Sequence, residues 1–333
     1  MVTLYPVLMI ICVAAALFML QGCTDLTEFE HTLQAGIHIM NTPDLSVVHT
    51  IENISGARSL CSLTDCFIVA TIEGKLIRFD LESYQQTGCA AIGNPSPSGY
   101  FEIEYSPTES SVYIIGALGQ ILEIQVPDME ILDNFSVCEI PVDIEIATEK
   151  PYFYVAGSSS CRIYEVRKES NGLSRTCTLL SSPTCMAIDH SQDTILVGTQ
   201  GETELVSTGI TVMRARKMDK FPTILAIETI PVYISIRLCA VFEYQTGMIA
   251  TIKSYFAPPQ YTGTVTIDGD IHYMCADSNG THAYVLSYLG DNISRVVAYN
   301  CSNYFIESQI DLKGYPLDLE ISPGGTLLVL TAE

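Results

Sequence analysis

Apolar and polar positions alternate in short bursts along this chain, and the bursts recur about every forty residues. Each copy reads as a turn, an alternating strand, a short polar turn and a second strand that is apolar throughout. The clearest copies are Pro141 to Gly157 (PVDIEIATEKPYFYVAG), Pro183 to Gly198 (PTCMAIDHSQDTILVG) and Pro316 to Thr331 (PLDLEISPGGTLLVLT). Weaker copies begin near Gly56, Gly99, Pro231 and Ile271. Alternation with period two gives a strand two unlike faces. An unbroken apolar run such as Tyr152 to Ala156 predicts a strand buried on both.

Each copy has room for four strands. In the third copy they are Asp143 to Ala147, Tyr152 to Ala156, Arg162 to Val166 and Leu173 to Leu180, with turn residues at every join. The second copy gives Phe101 to Tyr105, Val112 to Gly116, Ile121 to Val126 and Ile131 to Cys138. No long amphipathic helix follows residue 22, which excludes doubly wound α/β folds. The last copy stops at Glu333 after its second strand. Two spare strands, Gly36 to Asn41 and Leu45 to Ile51, stand near the other end, split by Thr42-Pro43-Asp44. Pairing the spare strands with the short last copy completes one unit and removes sheet edges. The pattern therefore predicts an all-β protein. The expected architecture is a seven-bladed β-propeller of four-stranded antiparallel blades, with the ring closed by the N-terminal strands.

Charge and the first residues change what such a fold is expected to do. The chain has 38 acidic and 16 basic residues, a net of -22. That disfavours nucleic acid and anionic lipid head groups as electrostatic partners, since both call for clustered Lys and Arg. It suits cations or a solvated surface. Val7 to Leu20 is uncharged and apolar, too short for a typical span and suited to a signal-peptide core. It leads into Leu20-Gln21-Gly22-Cys23, which resembles the lipobox of bacterial lipoproteins and implies lipidation at Cys23. The expected organisation is a signal peptide over 1–22, a lipidated linker over 23–35 and one propeller domain over 36–333. The expected location is the cell envelope, outside the cytoplasm. An ordinary cleaved signal and secretion is the alternative. Asn53, Asn134, Asn279, Asn292 and Asn300 head N-x-S/T sequons, which leaves a non-bacterial secreted origin open. Of twelve cysteines none forms a C-x-x-C pair, so a cysteine zinc site is not expected. Cys61 with Cys66, and Cys161 with Cys177, are candidate disulfides in an oxidising compartment.

The phrases P-x-D-[IL]-x-I-[AS] at Pro141 and Pro316, the S-P-G-G turn at Ser322, and the second strands YVAG at Tyr154 and YVLS at Tyr284 resemble the YVTN-type β-propellers. These include the YncE-like and lactonase-like branches. The resemblance spans roughly 36 to 333. It implies a channel lined by the first strand of each blade, with ligands at one mouth. Aligning the copies puts Glu102, Asp143, Cys185, Tyr233, Tyr273 and Asp318 at one equivalent position, with Arg58 or Ser59 in the first copy. Of these, Glu102, Asp143, Tyr233, Tyr273 and Asp318 are the candidate ligand-binding residues. Three carboxylates at one mouth could hold a hard cation such as calcium. The other reading is that Asp143 and Asp318 accept backbone N–H bonds in the turn before the strand. Histidines are scattered, with no nucleophile-elbow or triad context. No W-D dipeptide, P-loop or dinucleotide fingerprint occurs, and Trp is absent.

The expected function is a membrane-tethered binding or scaffolding module, a monomer that takes a protein partner or small ligand. The alternative is a lactonase-like hydrolase using a carboxylate-held metal.

Overall fold

The computed structural model describes residues 34–93, 102–116, 119–126, 128–138, 140–188, 194–199, 203–207, 213–218, 224–230, 237–242, 247–252 and 261–332. The described residues form 28 strands and no α-helix. They are arranged as four-stranded antiparallel sheets of a β-propeller, each made largely of strands consecutive in the chain.

Sheet one runs Ala57–Ser62, Cys66–Thr71, Lys75–Asp80 and Gln86–Ala91. Sheet two is Ile103–Ser106, Ser111–Ile115, Gln120–Gln125 and Glu130–Ser136. Sheet three is Pro141–Ile146, Tyr152–Gly157, Arg162–Arg167 and Gly172–Thr178. Sheet four is Pro183–Ile188, Thr194–Thr199, Thr203–Ser207 and Arg214–Met218. Sheet five is Ile224–Ile230, Arg237–Phe242, Gly247–Ile252 and Tyr261–Ile267. Sheet six is Asp270–Ala276, His282–Gly290, Ile293–Asn300 and Phe305–Lys313. The seventh joins Tyr315–Ile321 and Leu327–Ala332 to the N-terminal strands Gln34–Met40 and Val47–Ser55. Within it Gln34–Met40 pairs with Leu327–Ala332, His38 opposite Val329 and Ile39 opposite Leu328.

The second strands show why an unbroken apolar run was needed. In Cys66–Thr71, Phe67 and Val69 pack toward sheet seven, against Leu328 and Leu330. Cys66, Ile68 and Ala70 pack toward sheet two, against Val112 and Ile114. Leu327–Ala332 divides the same way. Leu328 and Leu330 face sheet one, while Leu327 and Val329 face Tyr284 and Leu286 of sheet six. Tyr152–Gly157 sends Phe153 and Val155 toward Tyr113, and Tyr154 and Ala156 toward Ile195 and Val197. In these three strands alternate apolar residues thus go to two different intersheet cores, so neither face is left to solvent. Fourth strands such as Glu130–Ser136 are mostly exposed, being the outer edges. Among the described residues two charged side chains are buried, Glu165 and Lys168. Glu165, with no exposed surface, is held by Arg175 and the Tyr154 hydroxyl. A buried carboxylate survives only with such partners.

Three expectations need correction. The first strand of sheet five is Ile224–Ile230, not the segment starting at Pro231. Both tracts follow a proline, Pro222 lying two residues before Ile224 and Pro231 heading PVYISI, so the local pattern did not choose between them. Cys61 and Cys66 are not bonded to each other, and neither are Cys161 and Cys177. Cys61, Cys66, Cys138, Cys177, Cys275 and Cys301 are buried and pack as small apolar groups, with burial pushing the Cys66 and Cys138 thiols up to about 11. Residues 1–33, with the apolar run and Cys23, lie outside the described residues.

Candidate functional site

Every sheet puts its first strand innermost, and consecutive first strands lie side by side. Six of the seven carry the same irregularity. Pairing with the second strand slips by one residue between Pro141 and Asp143, and likewise at Ala57/Ser59, Pro183/Cys185, Ile224/Ala226, Ile271/Tyr273 and Pro316/Asp318. A bulge re-aims the residue that follows it. Glu102 directly precedes Ile103, the first paired residue of sheet two, and so holds the same place. The bulge selects Ser59 over Arg58 in sheet one, and Ala226 is the register equivalent in sheet five. Tyr233, assigned to that position from the sequence, lies outside the described residues.

Glu102, Asp143, Cys185, Tyr273 and Asp318 line one cavity of about 360 Å³, together with Ser59, Arg58 and His272. The sequence reading missed a second tier. Glu104, Glu145 and Glu320 line the same cavity two residues further along their strands. The signal was present, since residues i and i+2 of a strand share a face and both clear phrases read D-[IL]-E. Among the described residues, six carboxylates therefore share the channel with one guanidinium.

The two aspartates have defined partners. Asp143 Oδ2 accepts the backbone N–H of Met186 at 2.5 Å. Asp318 Oδ2 accepts that of Leu60 at 2.6 Å. Each donor directly follows the re-aimed residue of the next sheet, Cys185 or Ser59. The acceptors thus clamp consecutive sheets, whereas the sequence reading had put the N–H donors in the aspartate's own turn. Asp318 Oδ1 also takes the Leu319 N–H at 2.7 Å. Glu104 Oε2 accepts its neighbour Tyr105 N–H at 3.0 Å.

Crowding of like charge in a protein-walled channel shifts these groups. Desolvation first, with Glu104 adding repulsion, raises Asp143 to about 7 despite its backbone hydrogen bonds. Asp318 rises to about 6 by desolvation, with its N–H bonds and Arg58 opposing. Glu102 is pushed well above the usual carboxylate range by desolvation and then by Asp143, Asp318 and Glu104. Its side chain nonetheless has surface open to the channel, so solvent tempers the rise. Burial lowers His272, favouring the neutral ring. Cys185 is pushed up to about 12 by burial and Asp143, which makes it a poor nucleophile. At one side of the mouth the rings of His272 and Tyr315 meet edge-on at 5.2 Å, and Tyr315 sits 4.9 Å from Tyr288.

Chemically the channel can accept positive charge and hydrogen-bond donors. Among the described residues no group of three His, Cys, Asp or Glu side chains is placed to hold a metal ion. The remaining described histidines lie elsewhere. His38 bonds Thr331 at 3.2 Å, His49 stacks on Tyr84, and His282 bridges Asp277 and Glu307. His190 lies outside the described residues.

No family model matches this chain, and no curated protein matches it. Its fold is similar to that of solved β-propeller structures. A chain of Kuenenia stuttgartiensis hydrazine synthase superposes with a TM-score of 0.68 at 13% identity, covering 84% of this chain and 95% of that one. U3-55K superposes with a TM-score of 0.66 at 10% identity, covering 89% and 98%. At these identities the likeness extends to the fold alone, and it is a β-propeller likeness.

Proposed function

We propose that this protein is a seven-bladed, ring-closed propeller of the YVTN type that works as a binding or scaffolding module. It is tethered outside the cytoplasm through lipid on Cys23, and its ligand site is the acidic channel mouth. Support for the ring is the run of intersheet contacts. Sheet seven packs on sheet one, and the first strand of sheet five lies beside those of sheets four and six. The observation that carries the binding reading is the cavity itself, where six carboxylates from three first strands meet one arginine. Such a charge balance favours a cationic group of a protein partner or small ligand.

The hydrolase alternative requires the same carboxylates to hold a metal. Asp143 and Asp318 each commit an oxygen to a backbone N–H of the next sheet, which supports the binding reading over a metal-assisted one.

One preparation tests both. A lactone-hydrolysis assay with calcium, or with a chelator, is expected to show no turnover, and melting curves with the two are expected to coincide. Turnover that depends on calcium and disappears in Glu102→Gln would replace the binding reading by the hydrolase. Labelled palmitate should enter the wild type but not Cys23→Ala, and only the variant should leave the membrane fraction. An unlabelled wild type overturns the tether and favours secretion.

A further inference from the structure

The channel opens on the face where first strands begin and second strands end. The described connection from the fourth strand of sheet three to the first strand of sheet four, residues 179–182, runs across that face. Four large apolar side chains stand exposed on it. Ile140 and Leu180, 51% and 68% exposed, sit in the connections leading to Pro141 and Pro183. Tyr315, 41% exposed, heads the first strand of sheet seven, and Ile293, 38% exposed, begins the third strand of sheet six. Tyr315 reaches inward to the channel wall through its contact with His272. The same face therefore carries an apolar rim and an acidic well.

Three kinds of occupant fit poorly. A bare cation would leave the rim in water. A neutral apolar surface would desolvate the channel carboxylates without adding positive charge beside them, a cost for each one that is ionised. Nucleic acid and anionic lipid are repelled by the channel and by the net charge of -22. A protein segment with a central cation and apolar flanks satisfies both features, since recognition patches pair an apolar contact zone with charge complementarity.

Resting on the reading of the mouth as the binding site, we infer that its occupant is a protein segment of this kind. It inserts a Lys or Arg side chain into the channel and lays apolar side chains on Ile140, Leu180 and Tyr315. An Arg would donate a fork of N–H groups to two carboxylates, and the flanking residues would displace water from the rim.

Titration calorimetry with synthetic end-capped peptides tests this. The probe is an alternating Leu/Lys peptide. Its comparators are one with Glu in place of Lys and one with Ser in place of Leu. The Leu/Lys peptide is expected to bind with one-to-one stoichiometry and the Leu/Glu peptide not at all. The Ser/Lys peptide should bind at least tenfold more weakly. Ile140→Ser with Leu180→Ser, and separately Glu102→Gln with Glu145→Gln, should each weaken the Leu/Lys peptide about tenfold, which is about 1.4 kcal/mol. Asp128→Asn with Glu130→Gln removes equal charge at the outer edge of sheet two and should leave affinity unchanged. If the Ser/Lys peptide binds as well, and the serine variants bind normally, the mouth takes cations alone and the apolar part of the inference is overturned. If the outer-edge variant weakens binding as much as the channel variant, attraction is diffuse and the reading of the mouth itself falls.

Discussion

Asp143 shows how much one residue settles. Its carboxylate receives the Met186 N–H of the next sheet while repulsion and desolvation raise it to about 7. The two roles separate by substitution. Asp143→Asn keeps an acceptor oxygen and removes the charge, whereas Asp143→Ala leaves a backbone donor unsatisfied, at a cost of about 1–3 kcal/mol. At pH 8 the alanine variant should therefore melt well below the wild type and the asparagine variant should not. The pH dependence follows from the raised values. An unfolded aspartate titrates near about 4, so between about pH 4 and 7 the folded state holds more protons than the unfolded one. Stability from Asp143 and Asp318 is complete below that window and is lost as pH rises through about 6 and about 7. Glu307 and Asp311, lowered by partners such as Asn300 and Arg295, act in the opposite sense at lower pH. Thermal melts should fall from pH 5 to pH 8, and Asp143→Asn with Asp318→Asn should flatten that fall. A wild type that melts higher at pH 8 would mean the channel carboxylates are not raised.

At the scale of elements, the controlling unit is the second strand, held by cores on both faces and by a partner along each edge. Leu327–Ala332 has all six residues buried and takes one partner, Gln34–Met40, from the other end of the chain. Removing residues 34–55 would bare that edge and the apolar side chains of sheet one that pack against Ile37 and Ile39. An exposed apolar edge of this length is a template for strand addition. The truncated protein should emerge from size exclusion as aggregates and lose its cooperative melt. A soluble truncation with a sharp transition would mean the terminal strands do not hold the last sheet.

The whole molecule bears its charge unevenly in kind, with 38 acidic side chains against 16 basic ones. Ion pairs such as Lys75 with Glu73, and Arg295 with Asp268 and Asp311, offset a small part of it. Repulsion among the remainder acts across the surface and weakens as the Debye length shrinks from about 30 Å at 0.01 M salt to about 3 Å at 1 M. Raising sodium chloride from 0.01 M to 0.5 M should therefore raise the melting temperature. A drop on adding salt would show that local ion pairs outweigh the repulsion.

Strand order within most sheets, the punctuating turns and the pairing of the two chain ends were legible because each depends on short-range pattern. Period-two alternation, turn residues and a fixed repeat survive in a single sequence, and so did Glu102, Asp143, Cys185, Tyr273 and Asp318 as equivalent positions. The pattern failed where it was locally ambiguous, as in the fifth copy, where PTILAI and PVYISI both read as a first strand. What the tertiary structure alone decided was long-range. Only packing of separate sheets shows that Asp143 meets Met186 and Asp318 meets Leu60. Only the bulge chooses Ser59 over Arg58 for the shared register. Only the convergence of three first strands makes two isolated D-x-E phrases and one E-x-E phrase into one acidic channel. Periodicity fixes which way a side chain points from its own strand, but the neighbour it meets lies tens or hundreds of residues away, beyond the reach of any local pattern.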